Sequence, residues 1–149
     1  FDKMNVLYNI SDFCINTSYA EGFGLSTLES MLTGTPIIAP KTGGLTRQVV
    51  DFTDGSQNGI ALDIELQTLV GSQQVPYIYE DYVSCEKICD AMMQLYEKTP
   101  QESKELSRKV EKYARSAFSY QKTVDLWHES MIETIEKFKH RKNWDIQEI

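Results

Sequence analysis

Apolar residues recur at helical spacing at Met4, Leu7 and Tyr8, and Asn9, Ser11 and Asp12 then stop the run, which predicts a helix over 1–9. Phe13 to Asn16 reads as a short buried strand. Ser26 to Leu32 reads as a helix that Gly34 ends and Pro36 bars from continuing. Pro36 to Ala39 is wholly apolar, the pattern of a strand inside a parallel sheet. Leu45 to Asp51 is a short helix with Leu45, Val49 and Val50 inward. A turn cluster, F-T-D-G-S-Q-N over 52–58, leads into another strand, Gly59 to Asp63.

The period is lost over Ile64 to Glu80, where Gly71 and Pro76 interrupt a mixture of apolar and polar residues. This stretch reads as an insertion, a loop or a small hairpin around Pro76 to Tyr79. Its tyrosines, Tyr77, Tyr79 and Tyr82, either touch an acceptor or pack as loop side chains. Helical spacing returns over Ser84 to Lys98 through Ile88, Ala91, Met92 and Leu95. Thr99-Pro100-Gln101-Glu102 is a cap, a first-turn proline and a capping-box glutamate, so a new helix starts there and buries Leu106, Val110, Tyr113 and Ala117. From Tyr120 a long terminal helix carries Val124, Trp127, Met131, Ile135 and Phe138 on one face.

Within this framework Ser18 to Leu45 stands out, with two glycine loops that each open a helix and a short strand between them. Gly22 and Gly24 flank Phe23 before the first helix, so the backbone can approach a ligand closely and present unpaired amides, as anion sites do. Glu21 lies on that loop and Glu29 about one helical turn inside the helix. A helix beginning near Leu25 would let both carboxylates face one crevice. The second loop, Lys41-Thr42-Gly43-Gly44-Leu45, should end on the same side of the sheet.

The run E-G-F-G-L-S-T-L-E, then G-T-P-I-I-A and T-G-G-L, resembles the glutamate-any-seven-glutamate signature of retaining glycosyltransferases of family 4. The likeness is close from about Met4 to Asp63 and resumes weakly from about Tyr82 to Phe138. It implies an α/β fold, a Rossmann-like parallel sheet flanked by helices, as the C-terminal half of a GT-B enzyme. A donor-binding domain over 1–120, interrupted by the insertion at 64–80, would precede a crossover helix and tail over 121–149. The resemblance implies transfer of a sugar from a nucleotide diphosphate sugar, such as GDP-mannose, to an acceptor hydroxyl with retention.

By the same likeness Glu21 contacts the transferred sugar as the catalytic residue, and Gly22, Phe23, Gly24, Leu25 and Ser26 offer amides to sugar and phosphate oxygens. Gly43 and Gly44 supply a second amide contact, and Glu29 holds the ribose hydroxyls. No metal or cofactor is implied. The partners implied are the donor, a glycan, lipid or protein acceptor, and an N-terminal domain outside this chain. Base-reading residues would lie just upstream of Phe1, which opens the chain inside a helix as if cut from a longer protein. Where relatives often carry an acid three residues after the second glycine, this chain has Arg47, which could itself approach a phosphate.

Taken without the likeness, Ser26-Thr27-Leu28-Glu29 is also a capping box, in which Glu29 would bond the Ser26 amide. Glu21 is equally a solvated loop acid, and the glycines are equally ordinary turns. The activity alternatives are a GT-B phosphorylase or nucleotide-sugar epimerase, and a non-catalytic sugar-nucleotide-binding module.

Composition narrows the classes. The net charge is −7, and residues 51–96 hold eight acids against one lysine. That middle acidity argues against a nucleic-acid surface without excluding one phosphorylated ligand. Cys14, Cys85 and Cys89 form no disulfide framework, which suits a reducing, cytoplasmic compartment. Asn9 and Asn16 match the glycosylation pattern but lack a secretory context. Asp63-Ile64-Glu65 is a paired-acid sequence after a strand that reads as surface for want of a third metal ligand. The basic run Lys137 to Lys142 either meets anionic lipid as a weak membrane-surface contact or complements a helix C-terminus.

Overall fold

The computed structural model describes residues 2–139; His140, Arg141 and Lys142 of the basic run lie outside them. The chain divides into two compact units, Phe1–Arg115 and Ser116–Ile149, each described by itself.

The first unit is built on three parallel strands in the order β1-β2-β3, with β1 at Cys14–Ile15, β2 at Ile37–Pro40 and β3 at Gly59–Leu62. Cys14 pairs with Ile37, and Ile38 with Ile60, which fixes the register. Central β2 is buried at every position, as its unbroken apolar run requires. Ile38 joins Leu62, Ala91 and Leu95 in one core, with Phe13, Ile60, Val83, Ile88 and Leu106 packed against it. Ile37 and Ala39, at alternate positions and wholly buried, point to the opposite face.

Helices α1 (Asp2–Ile10), α2 (Leu25–Leu32), α3 (Leu45–Val49), α4 (Cys85–Tyr96) and α5 (Pro100–Ala117) complete the unit's elements, α5 running on past its boundary. Ser84 caps α4 through its side chain, and the expected capping box of α5 forms in full: the Thr99 amide donates to Glu102 Oε2 at 2.8 Å and the Glu102 amide to Thr99 Oγ1 at 3.3 Å. Three inward assignments need correction. Met92 is exposed, because the buried stripe of α4 runs through Ala91 and Leu95 and leaves Met92 on its flank. Ala117 is only half-buried, and Ala114 beside Val110 and Tyr113 takes the interior place. Val50 leaves α3 in an extended conformation and is half-buried.

The insertion is an antiparallel hairpin longer than the sequence indicated: β4 (Leu66–Val70) pairs with β5 (Ile78–Tyr82), Leu66 opposite Tyr82 and Val70 opposite Ile78. In the second unit α6 (Tyr120–Lys139) carries Val124, Trp127, Met131 and Ile135 at helical spacing, all exposed. Among the described residues no helix is long and apolar enough to cross a membrane.

Candidate functional site at the carboxyl edge of the sheet

Because the three strands are parallel, the loops after β1 and β2 leave the sheet at the same edge, where ligands of open α/β sheets are held. The first loop reaches α2 through Gly24, which sits in the left-handed region at φ 86° and caps the helix with no side-chain bond. A Cβ on Gly24 would meet Leu45 Cδ2 at 2.6 Å and Thr27 Oγ1 at 2.7 Å, so this position requires glycine. With Leu25 the first helical residue, Ser26 is already inside the helix and the Ser26–Glu29 capping box does not form. Glu29 instead accepts a bond from the Tyr8 hydroxyl at 3.3 Å. The first-turn amides of Leu25 and Ser26 have no acceptor within the helix, and the positive end of its dipole lies there.

The second loop lies against the first, backbone to backbone. The Gly44 amide donates to the Glu21 carbonyl at 3.2 Å. A Cβ on Gly43 would fall 1.8 Å from that same carbonyl oxygen, and one on Gly44 would fall 2.6 Å from the Gly22 carbonyl oxygen and from Phe23 Cα. The two loops therefore meet as expected, but the Gly44 amide is already bonded within the protein. The second loop braces the first rather than presenting that amide outward.

A buried polar network completes the brace. Gln48 on α3 donates through Nε2 to the Phe23 carbonyl, and its Oε1 lies 2.5 Å from the Thr27 hydroxyl. That hydroxyl also lies 2.8 Å from the Gly24 carbonyl, and Asn58 donates to the Gln48 carbonyl at 2.8 Å. Thr27, Gln48 and Asn58 are all wholly buried. Sequence reading missed these residues; the signal was a glutamine at a position of α3 where the helix face otherwise runs Leu45 and Val49.

Of the expected site residues, Gly22, Phe23, Leu25 and Ser26 are exposed along the first loop and helix start. Glu21 is half-buried, and its Oε1 accepts from the Phe23 amide at 3.4 Å, so its carboxylate lies beside the uncapped helix end. Glu29 lines a cavity of about 560 Å³ with Met4, Asn5, Tyr8, Leu32 and Arg115. Glu21 does not line that cavity. Burial, then the charge of Glu29, pushes the Tyr8 phenol above its ordinary pKa. Arg47 lies with its guanidinium 4.4 Å from the Phe52 ring centroid, a cation–π contact.

The remaining acids are engaged structurally. Asp63 pairs with Lys41 at 2.6 Å, and that hydrogen bond and charge hold its carboxyl below the usual range. Glu65 accepts the Ser84 amide at 2.6 Å and pairs with Lys87 at 3.3 Å. Among the described residues no three His, Cys, Asp or Glu side chains group as a metal site would need. Asn9 is tied back to the Asn5 carbonyl within α1, and Asn16 accepts the Ser18 amide in a local turn.

With this geometry in place, the family profile described as "Glycosyl transferases group 1" matches residues 2–117. The chain belongs to that family. Among group 1 glycosyl transferases, the D-inositol 3-phosphate glycosyltransferase of Corynebacterium jeikeium (strain K411) is 40% identical over 57 residues, 38% of this chain and 13% of that protein. The enzyme of the same name from Acidothermus cellulolyticus (strain ATCC 43068 / DSM 8971 / 11B) is 41% identical over 54 residues, 36% of this chain and 12% of the relative. The chain thus spans about an eighth of the length of these curated relatives.

Sucrose-phosphate synthase from Thermosynechococcus elongatus superimposes with a TM-score of 0.62 at 20% identity, over 91% of this chain and 28% of that structure. The catalytic domain of starch synthase IV from Arabidopsis thaliana, bound to ADP and acarbose, gives 0.51 at 24% identity, over 78% and 22%. Both are GT-B glycosyltransferases, and the likeness to this group 1 chain is one of fold.

Proposed function

We propose that the chain is the donor-binding part of a retaining glycosyltransferase, which moves a sugar from a nucleotide diphosphate sugar to an acceptor hydroxyl. The single observation that carries this reading is the uncapped start of α2 beneath a glycine loop held rigid from below. Outward amides fixed in advance offset charge on a departing diphosphate without reorganising when the bond breaks. Glu21, beside those amides, takes the hydroxyls of the transferred sugar and steadies positive charge at the anomeric carbon. Glu29, on the cavity wall next to Tyr8, takes the ribose hydroxyls. The implied catalysis is positional and electrostatic, with no side chain serving as a covalent nucleophile.

The donor base and sugar stay open to a panel: GDP-mannose, UDP-sugars, and ADP-glucose, the last in view of the ADP held by the starch synthase neighbour. The inositol-phosphate names among the relatives put an inositol phosphate on the acceptor side of the same panel. Calorimetric titration of the 149-residue chain against these donors is expected to give weak, saturable binding to one of them and no sugar transfer. Turnover by the chain alone, or a Gly24→Ala variant that binds the donor as the wild type does, would overturn the reading.

A further inference from the structure

The hairpin of β4 and β5 lies outside the main sheet, and a two-stranded ribbon alone is marginal in water. Its base is fixed by Glu65, which accepts the Ser84 amide and pairs with Lys87 on α4. Strand β5 is also fastened to the first glycine loop. The Asp81 amide donates to the Tyr19 carbonyl at 2.8 Å, and the Tyr19 and Tyr82 rings stack with centroids 4.4 Å apart at 29°. The Tyr82 hydroxyl donates to Glu80 at 2.6 Å from the rim of the ring, which leaves the face of the ring to Tyr19. Tyr19 precedes Glu21 by two residues and the Gly24 cap by five. The loop is thus held from one side by Gly43, Gly44 and Gln48, and from the other by β5.

We propose that the hairpin is a positioning element for the first glycine loop, with Tyr82 acting through Tyr19 to set how tightly that loop holds a nucleoside diphosphate. The inference rests on the reading of the loop as the donor site. Between Ile15 and Leu25 the chain is irregular, and its order comes from what grips it. A loop freed at Tyr19 must be ordered at the moment of binding, which lowers affinity without removing any ligand contact.

The test uses the 149-residue chain, with hydrogen exchange read over 17–26 and calorimetry against ADP, UDP and GDP in turn. Tyr82→Ala and Tyr19→Ala are each expected to speed exchange over 17–26. Each is also expected to weaken the bound diphosphate about ten-fold, while exchange over β2 and β3 stays as in the wild type. The double variant should be no worse than either single one, because one contact is lost in all three. Tyr82→Phe keeps the ring and should restore both readouts, which a role for the hydroxyl would not allow. Unchanged exchange over 17–26 in both alanine variants, or faster exchange with unchanged affinity, overturns the proposal. Should Tyr82→Ala fail to fold, Tyr19→Ala, at an exposed position, carries the same test. A wild-type chain that binds none of the three nucleotides would instead sink the donor-site reading, and the exchange result would still decide whether the hairpin orders the loop.

Discussion

Gly43 and Gly22 make a matched pair of tests, since both lie in the glycine loops and only one of them is enclosed. A side-chain carbon on Gly43 would strike the Glu21 carbonyl at 1.8 Å from a left-handed backbone, while one on Gly22 would meet nothing within 4 Å. Gly43→Ala is therefore expected to destabilise the chain by about 1–3 kcal/mol and to abolish donor binding, measured by denaturant titration and calorimetry. Gly22→Ala should stay within about 0.5 kcal/mol of the wild type. Gln48→Leu keeps the volume but removes the buried bonds to the Phe23 carbonyl and the Thr27 hydroxyl, and is expected to cost about 1–3 kcal/mol. The sequence made the glycine positions legible because close approach leaves glycine as the sole choice. It hid Gln48 and Thr27, since a buried polar pair 21 residues apart has no local pattern, and the capping box it offered as the alternative for Glu29 does not form, because Ser26 lies two positions past the Gly24 cap.

The capped helices are where local chemistry and structure agree, and their acids set a pH dependence. Hydrogen bonds from Thr99 hold the Glu102 carboxyl below the usual glutamate range, and those from Ser84 do the same for Glu65. Depressed carboxyls contribute stability above the ordinary glutamate pKa of about 4.3, and that contribution is lost as pH falls through the lowered folded value. The melting temperature of Glu102→Gln should therefore sit below the wild type at pH 7 and converge with it toward pH 3. A gap that widens on acidification would contradict the assignment. Thr99→Ala removes the reciprocal bond and should cost about 1 kcal/mol by chemical denaturation. The hairpin was poorly legible for a different reason: L-Q-T-L-V and I-Y-E-D-Y bury neither face fully, so no alternation marks the strands. Met92 was misplaced by one step because methionine satisfies an apolar template whether or not the face is covered.

On the scale of the whole molecule, the cores described belong to the first unit alone. Ile38, Leu62, Ala91 and Leu95, with Val110, Tyr113 and Ala114, all precede residue 116. A chain ended after Phe118 is accordingly expected to unfold cooperatively and to keep the exchange protection of Ile37 to Leu62; scattered loss across β2 would show that the terminal helix is required. The alternation of strands and helices was readable because buried parallel strands are apolar at every position, as Pro36 to Ala39 is. The bracing of the first glycine loop by the second was not, since the Gly44–Glu21 bond joins backbone atoms that no side chain announces. That seam has a practical consequence: a mutation selected in one loop will be felt in the other, so anyone re-engineering the donor site proposed above must transplant Tyr19 to Ser26 and Lys41 to Leu45 together, as a single graft, or expect the chimaera to lose both.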